Sequence, residues 1–266
     1  MLVWAAFPAI VAMIHWLPLF AAIVLIASPF ASLWIYVRLH EAFHLTGKEI
    51  SRFPRHLLGI GLSAPIGFSW QLYARHHANH HRYNNGPGDY SSTIDRNGRT
   101  IAGSRYLLKN AGYPFVLQLV PFFSTLAMKS QNRSGISWLD EAVRVGFRFI
   151  AFLIAGWPGL GAVLAFQLVA VTVILYSNYL QHFELPPPNA HDWTGRRFAK
   201  AFLNFGAHAQ HHQHPEIPGA LLSISPAHAG PVPLWSPRVL AAFLRSPASL
   251  SALLATTNGH ETGRSL

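Results

Sequence analysis

Residues 149–183 read FIAFLIAGWPGLGAVLAFQLVAVTVILYSNYLQHF, and none of these 35 residues is Asp, Glu, Lys or Arg. As one straight helix they would extend ~52 Å, against a bilayer core about 30 Å thick. A single crossing is far too short for this length, whereas two short crossings fit it. The run Gly156-Trp157-Pro158-Gly159-Leu160-Gly161 sits near the middle and is a turn signal. The stretch closes on Asn178-Tyr179-Leu180-Gln181-His182, a polar element at the end of an apolar helix.

The N-terminal residues repeat the pattern. Residues 1–37 also lack Asp, Glu, Lys and Arg, and His15-Trp16-Leu17-Pro18 marks a reversal with proline and an interfacial Trp. The expectation is an all-α integral membrane fold in one domain over 1–266. Four transmembrane helices at roughly 2–16, 18–39, 141–156 and 160–181 form two hairpins. A helical cap spans 40–140 and 182–255. Within it, Leu57–Leu72 and Tyr106–Met128 are apolar but interrupted by prolines and polar residues, as in interfacial or re-entrant helices. Asn84-Asn85-Gly86-Pro87-Gly88-Asp89 reads as a loop, Pro186-Pro187-Pro188-Asn189 as a stiff break, and the residues from about Thr256 as a frayed tail.

Composition agrees with a membrane protein. Of the 266 residues 51% are hydrophobic and 11% charged, less than half the charge of a soluble domain. The net charge of +10 is not gathered with aromatics on a polar domain, which argues against nucleic acid and for an anionic lipid surface. No basic segment opens the chain as in a cleavable signal peptide, and the first apolar stretch is too long for one. All 20 Lys and Arg lie away from the two hairpin tips. The positive-inside tendency therefore places the cap on the cytoplasmic side, at the inner membrane if the source is bacterial.

The chemistry is carried by histidine. With no cysteine, thiolate sites and disulfides are excluded, and imidazole becomes the candidate metal ligand. Three clusters stand out: His40 and His44 around Glu41; His77, His80 and His81; and His208, His211 and His212. With His182 they make nine histidines. Spacings of three and four place each cluster on one helix face. Nine imidazoles exceed what one ion takes, so the count points to two metals. His76 leaves the register of the middle cluster open; His77 is preferred because it reproduces the pattern of the third. His214 belongs to a proline-bounded turn, His15 lies on the far side, and His56, His191, His228 and His260 show no cluster spacing. Glu41 and Asp89 are candidates to orient ligand imidazoles, as are Glu184 and Asp192. Asn178, one turn before His182, is placed either to hold a water bound to the metals or to bond between helices. No catalytic residue beyond the metal ligands is indicated.

An all-imidazole pair of irons suits oxygen activation, although imidazole also binds zinc and copper. A membrane setting favours an alkyl or acyl substrate. A non-enzymatic membrane metal carrier is the rival from another class. It would line a path across the bilayer with ionisable groups, and the expected spans carry almost none.

At these motifs the chain resembles the membrane fatty acid desaturase superfamily, including its hydroxylase members. The family's three histidine boxes and Asn-x-x-x-His element match His40/His44, His77/His80/His81, Asn178/His182 and His208/His211/His212, over about residues 30–225. The run from Asn204 through His212 to Pro215, Ile217, Pro218 and Gly219 is similar to the last box of acyl-lipid and sphingolipid desaturases. The resemblance implies a four-span fold with a cytoplasmic di-iron cap, using O2 and two electrons. The donor would be a separate ferredoxin-, rubredoxin- or cytochrome-like protein. Glu41 stands where acyl desaturases often have Asp, and Asn178–His182 also resembles the corresponding element of alkane hydroxylases. Desaturation and hydroxylation of the lipid chain therefore both stay open.

Overall fold

The computed structural model describes residue 8 and residues 18–45, 50–112, 138–185, 189–193, 201–223, 229–230 and 237–261. Most of the expected first span, the reversal at His15–Leu17, most of the Tyr106–Met128 stretch and Pro186–Pro188 lie outside these residues. The described elements are α1 (Pro18–His44), α2 (Arg52–Ser63), α3 (Trp70–Tyr83), α4 (Gly103–Leu107) with a π turn (Leu108–Gly112), and α5 (Trp138–His182). They continue with β1 (Asp192–Trp193), α6 (His208–Gln213), β2 (Ala229–Gly230), α7 (Pro237–Arg245) and α8 (Pro247–Glu261). The protein is mostly helical. The departure from an all-α chain is small: β1 and β2 pair in parallel, Asp192 with Ala229 and Trp193 with Gly230.

These elements fall into two compact units. The first takes in α1, α2, the start of α3 and α5 as far as Ile174; the second takes in the rest of α3, α4, the end of α5, and β1 through α8.

In the first unit α1 begins at Pro18, where a missing N–H costs nothing. Its apolar run ends at Arg38, whose guanidinium lies 4.6 Å from the centre of the Trp34 ring. The helical run α5 is the described segment whose length and apolar composition would let it cross a membrane. It is not one rod. Ala155 and Gly156 leave helical geometry, Gly156 at φ 59° and ψ −147°, just before Pro158. Arg148 Nε then donates to Gln167 Oε1 at 3.0 Å, although these residues are 19 apart. Along a straight helix they would be separated by ~28 Å, so the chain folds back at Gly156 as a helical hairpin. Phe147, Ala151, Ala155 and Val163 form its buried apolar seam. Outward, Phe149, Ile150, Leu153, Ile154 and Trp157 are exposed.

The Leu57–Leu72 stretch is divided between two helices: Ala64–Gly67 turns between α2 and α3, with Gly67 at φ 82°. Gln167 Nε2 ties this turn to the hairpin by donating to the Ala64 carbonyl at 3.1 Å. Gly59 lies flat against Trp70, where a Cβ would come within 2.3 Å of the indole. Ser69 caps α3 by accepting from Leu72 N at 3.4 Å, and its hydroxyl donates to buried Asp140 at 2.7 Å.

In the second unit Phe243 of α7 is fully buried, packs its ring on Tyr176 and Tyr179, and closes over Gly103. The expected frayed tail from Thr256 is instead helix as far as Glu261. Ser246 accepts from Ser249 N at 3.1 Å to start α8, and the Ala- and Leu-containing segment that follows sustains it.

Candidate metal centre

The candidate ligand side chains of the second unit come from three helices. On α3 the spacing of His77, His80 and His81 brings all three to one face, and α6 does the same with His208, His211 and His212. The last residue of α5 is His182. The two triplets divide reciprocally. The i,i+4 pair of α6, His208 and His212, joins the middle histidine of α3, His80. The i,i+4 pair of α3, His77 and His81, joins the middle histidine of α6, His211.

His80, His182, His208 and His212 form a closed ring of Nε2 atoms. The successive separations are 3.3 Å (His80–His182), 3.1 Å (His182–His208), 3.0 Å (His208–His212) and 3.1 Å (His212–His80). A metal–nitrogen bond of about 2.1 Å puts neighbouring ligand nitrogens ~3 Å apart, so these spacings fit four imidazoles on one ion.

Proton bookkeeping gives the same answer. His80 Nδ1 faces the Asp89 carboxylate at 2.8 Å, and His182 Nδ1 faces the Asn189 carbonyl oxygen at 3.2 Å. Both partners only accept, so each Nδ1 carries the proton and each Nε2 of a neutral ring presents a lone pair. Two lone pairs 3.3 Å apart repel unless a cation lies between them. Burial, reinforced by the neighbouring His208, His80, His182 and His81, pushes the His212 imidazole well below its usual range and favours the neutral form that a metal would require.

The second cluster is adjacent. His77 and His211 each lie 3.1 Å, Nε2 to Nε2, from His81. The His81 and His212 rings are 4.8 Å apart, so the two clusters share a wall. In the first unit His40 and His44 end α1 with their rings 4.9 Å apart, His40 buried and its Nδ1 3.5 Å from Glu41 Oε1.

Asp89 is held by more than His80. It accepts from the Asn85 backbone N–H at 2.7 Å, the Ser91 N–H at 2.8 Å and the Ser91 hydroxyl at 2.9 Å. Burial alone would raise its carboxyl, but the bonds from His80, Ser91 and Asn85 outweigh it and hold the group well below the carboxylate range. Asn85, at φ 64°, accepts with Oδ1 from Thr93 N and the Thr93 hydroxyl, which fixes the loop under Asp89. The sequence marked this segment as a loop but gave no sign of Asn85, Ser91 or Asn189 as positioning groups.

The remaining candidates are placed as follows. Asn178 donates to Tyr106 Oη at 2.8 Å and to the Ser91 carbonyl at 3.3 Å. Asp192 accepts from Ala209 N at 2.8 Å, which anchors the first turn of α6. Glu184 accepts from the Ser251 hydroxyl. The His76 ring lies 6.3 Å from that of Tyr90; burial first, and His80 second, lower it to about 4. His56 Nδ1 accepts from Trp70 Nε1, His191 meets the Phe183 carbonyl, and exposed His214 is 3.7 Å from Glu216. His15, His228 and the His260 side chain lie outside the described residues.

Comparison with known proteins converges on the same motifs. Residues 14–223 match the family model described as fatty acid desaturase. The chain is 24% identical over 246 residues to the sphingolipid delta(4)-desaturase DES1 of Drosophila melanogaster, covering 80% of this chain and 69% of that protein. No solved structure matches the chain. The family match runs through every histidine cluster and most of the sequence: the chain belongs to the fatty acid desaturase family and is an oxidoreductase of the desaturase type.

Proposed function

We propose that this chain is an integral-membrane di-iron oxidase that introduces a double bond into a lipid acyl chain, using O2 and two electrons from a separate carrier protein. The observation that carries the reading is the ring of four Nε2 atoms, 3.0–3.3 Å apart, beside a second histidine cluster. One ion would be held by His80, His182, His208 and His212. The other would be held by His77, His81 and His211, and the sequence motifs make His40 and His44 further candidate ligands. Bound iron would supply the redox chemistry that an unactivated C–H bond demands. The chain's own residues do the positioning. Asp89 and the Asn189 carbonyl fix the orientation of two ligand rings, and Asn178 ties the end of α5 to the Ser91 loop and α4. The two hairpins would cross the membrane as four spans, with the cap and the metals on the cytoplasmic side. The apolar surfaces of α1 and α5 suit a lipid substrate.

Hydroxylation on the same scaffold is the alternative, and the desaturase relative favours the double bond. Product analysis by mass spectrometry under 18O2 separates them. A product two mass units lighter than the substrate and free of label is expected; label in the lipid product overturns the desaturase assignment. Metal analysis should give two irons per chain.

A further inference from the structure

Desaturation does not balance with O2 alone. Removing two hydrogens from adjacent carbons yields two electrons and two protons, whereas reducing O2 to two waters takes four of each. Two electrons and two protons must therefore arrive from outside, the protons from water, and with no cysteine the 266 residues hold no iron–sulfur cluster of their own. The question is where a carrier would meet the chain.

One surface of the second unit is built for it. The loop after α3 returns its Gly88 carbonyl to Asn79 Nδ2 at 3.0 Å and its Tyr90 N–H to Asn79 Oδ1 at 2.8 Å. Tyr83 packs over Gly88, where an added Cβ would lie 3.2 Å from the ring. The Arg82 guanidinium sits 5.4 Å from the centre of that ring, and Tyr90 stands against His76. The result is a continuous face of two exposed tyrosines and an exposed arginine, with Tyr90 60% exposed. Directly beneath it, Asp89 is buried and bonded to His80 of the four-histidine ring. One peptide link and one hydrogen bond join exposed Tyr90 to a candidate ligand. The charge is one-sided: the exposed ionic residues between 82 and 109 are Arg82, Arg96, Arg99, Arg105 and Lys109, while of the acids Asp89 is buried and Asp95 is half-buried and caps its own turn.

We propose that the Arg82–Tyr83–Tyr90 face docks an acidic one-electron carrier protein, which delivers two electrons in successive encounters through the Asp89–His80 contact. The proposal rests on the oxidase reading and names its partner. Aromatic and arginine side chains favour protein interfaces, and a basic face steers an acidic partner in a salt-dependent way.

The test uses the full chain, metal-loaded in detergent, with an acidic [2Fe–2S] ferredoxin as probe. Wild type should bind the ferredoxin at low salt and lose binding as salt rises. Arg82→Glu and Tyr90→Ala should each weaken binding by about tenfold, with metal content unchanged. Turnover driven by reduced ferredoxin should fall in both variants, while turnover driven by dithionite, which needs no docking, should not. Arg245→Glu, on α7, should behave as wild type. Absence of ferredoxin binding by wild type, or unaltered binding by both variants, overturns the proposal. So does loss of binding to phosphatidylglycerol vesicles in place of ferredoxin, which would make the face a lipid surface. Failure of dithionite to drive any product would instead count against the oxidase reading, because it bypasses this surface.

Discussion

Oδ2 of Asp89 lies 2.8 Å from Nδ1 of His80, and both side chains are buried. The carboxylate fixes which nitrogen of His80 carries the proton and so which one points into the four-histidine ring. Asp89→Asn keeps the shape but removes the charge. Metal affinity at that ring should drop by roughly 10- to 100-fold, read by titration of metal into the metal-free protein. The His77, His81 and His211 cluster should keep its ion, because Asp89 does not touch it in the second unit. Equal loss from both clusters would show that Asp89 holds the whole centre together and not one ring.

The same carboxylate predicts a pH signature. Its pKa in the folded chain is depressed, burial being outweighed by the bonds from His80, Ser91 and Asn85. Such a group contributes stability that is fully present above the ordinary carboxylate pKa of about 3.9 and is lost as pH falls through the depressed value. The difference in melting temperature between metal-free wild type and Asp89→Asn should therefore be flat from about pH 5 upward and shrink only in stronger acid. A difference that vanished near pH 6 would assign it to imidazole protonation.

Single ligands can be separated from bystanders. His212→Ala removes one corner of the ring and should cost the chain about one bound ion, measured as metal per protein by mass spectrometry. His214→Ala, at an exposed position two residues away, should leave the metal content and activity unchanged.

How much of this was legible follows from the range of each interaction. The division of helix faces at His77/His80/His81 and His208/His211/His212 is local periodicity, and the reversal at Gly156–Pro158 is local turn chemistry, so both could be read directly. What stayed hidden depends on chain segments meeting. Ser69 meets Asp140 across 71 residues to cap α3, and Gln167 meets Ala64 across 103. Asn85 supports Asp89 only because its backbone takes a left-handed conformation, which an Asn-Asn-Gly run permits but does not specify. The reciprocal split of the two triplets was also out of reach, since it depends on how α3 and α6 face each other.

Gln167 offers a stability test away from the metals. It accepts from Arg148 and donates to the Ala64 carbonyl while fully buried. Gln167→Leu would strip a partner from a buried guanidinium and from a buried carbonyl, each worth about 1–3 kcal/mol when left unsatisfied. The melting temperature in detergent should fall by several degrees. An unchanged melting temperature would mean that water or other side chains satisfy both groups.

Gly206 tests how the third cluster is delivered. Its carbonyl accepts from Trp193 N at 2.8 Å, and a Cβ at this position would lie 2.7 Å from the Trp193 carbonyl oxygen. That contact is with backbone, so it can be relieved only by moving β1 away from the approach to α6. β1 also carries Asp192, which anchors Ala209 N, so the displacement reaches His208 two residues on. Gly206→Ala should therefore lower metal binding at the four-histidine ring although it deletes no ligand, and should lower stability by about 1–3 kcal/mol, the usual cost of forcing extra atoms into a packed site. Gly146→Ala, where a Cβ meets nothing within 4 Å and the backbone is helical, should be neutral or slightly stabilising and keep its metal. If Gly206→Ala retained full metal content, the β1–α6 contact would have no part in presenting His208.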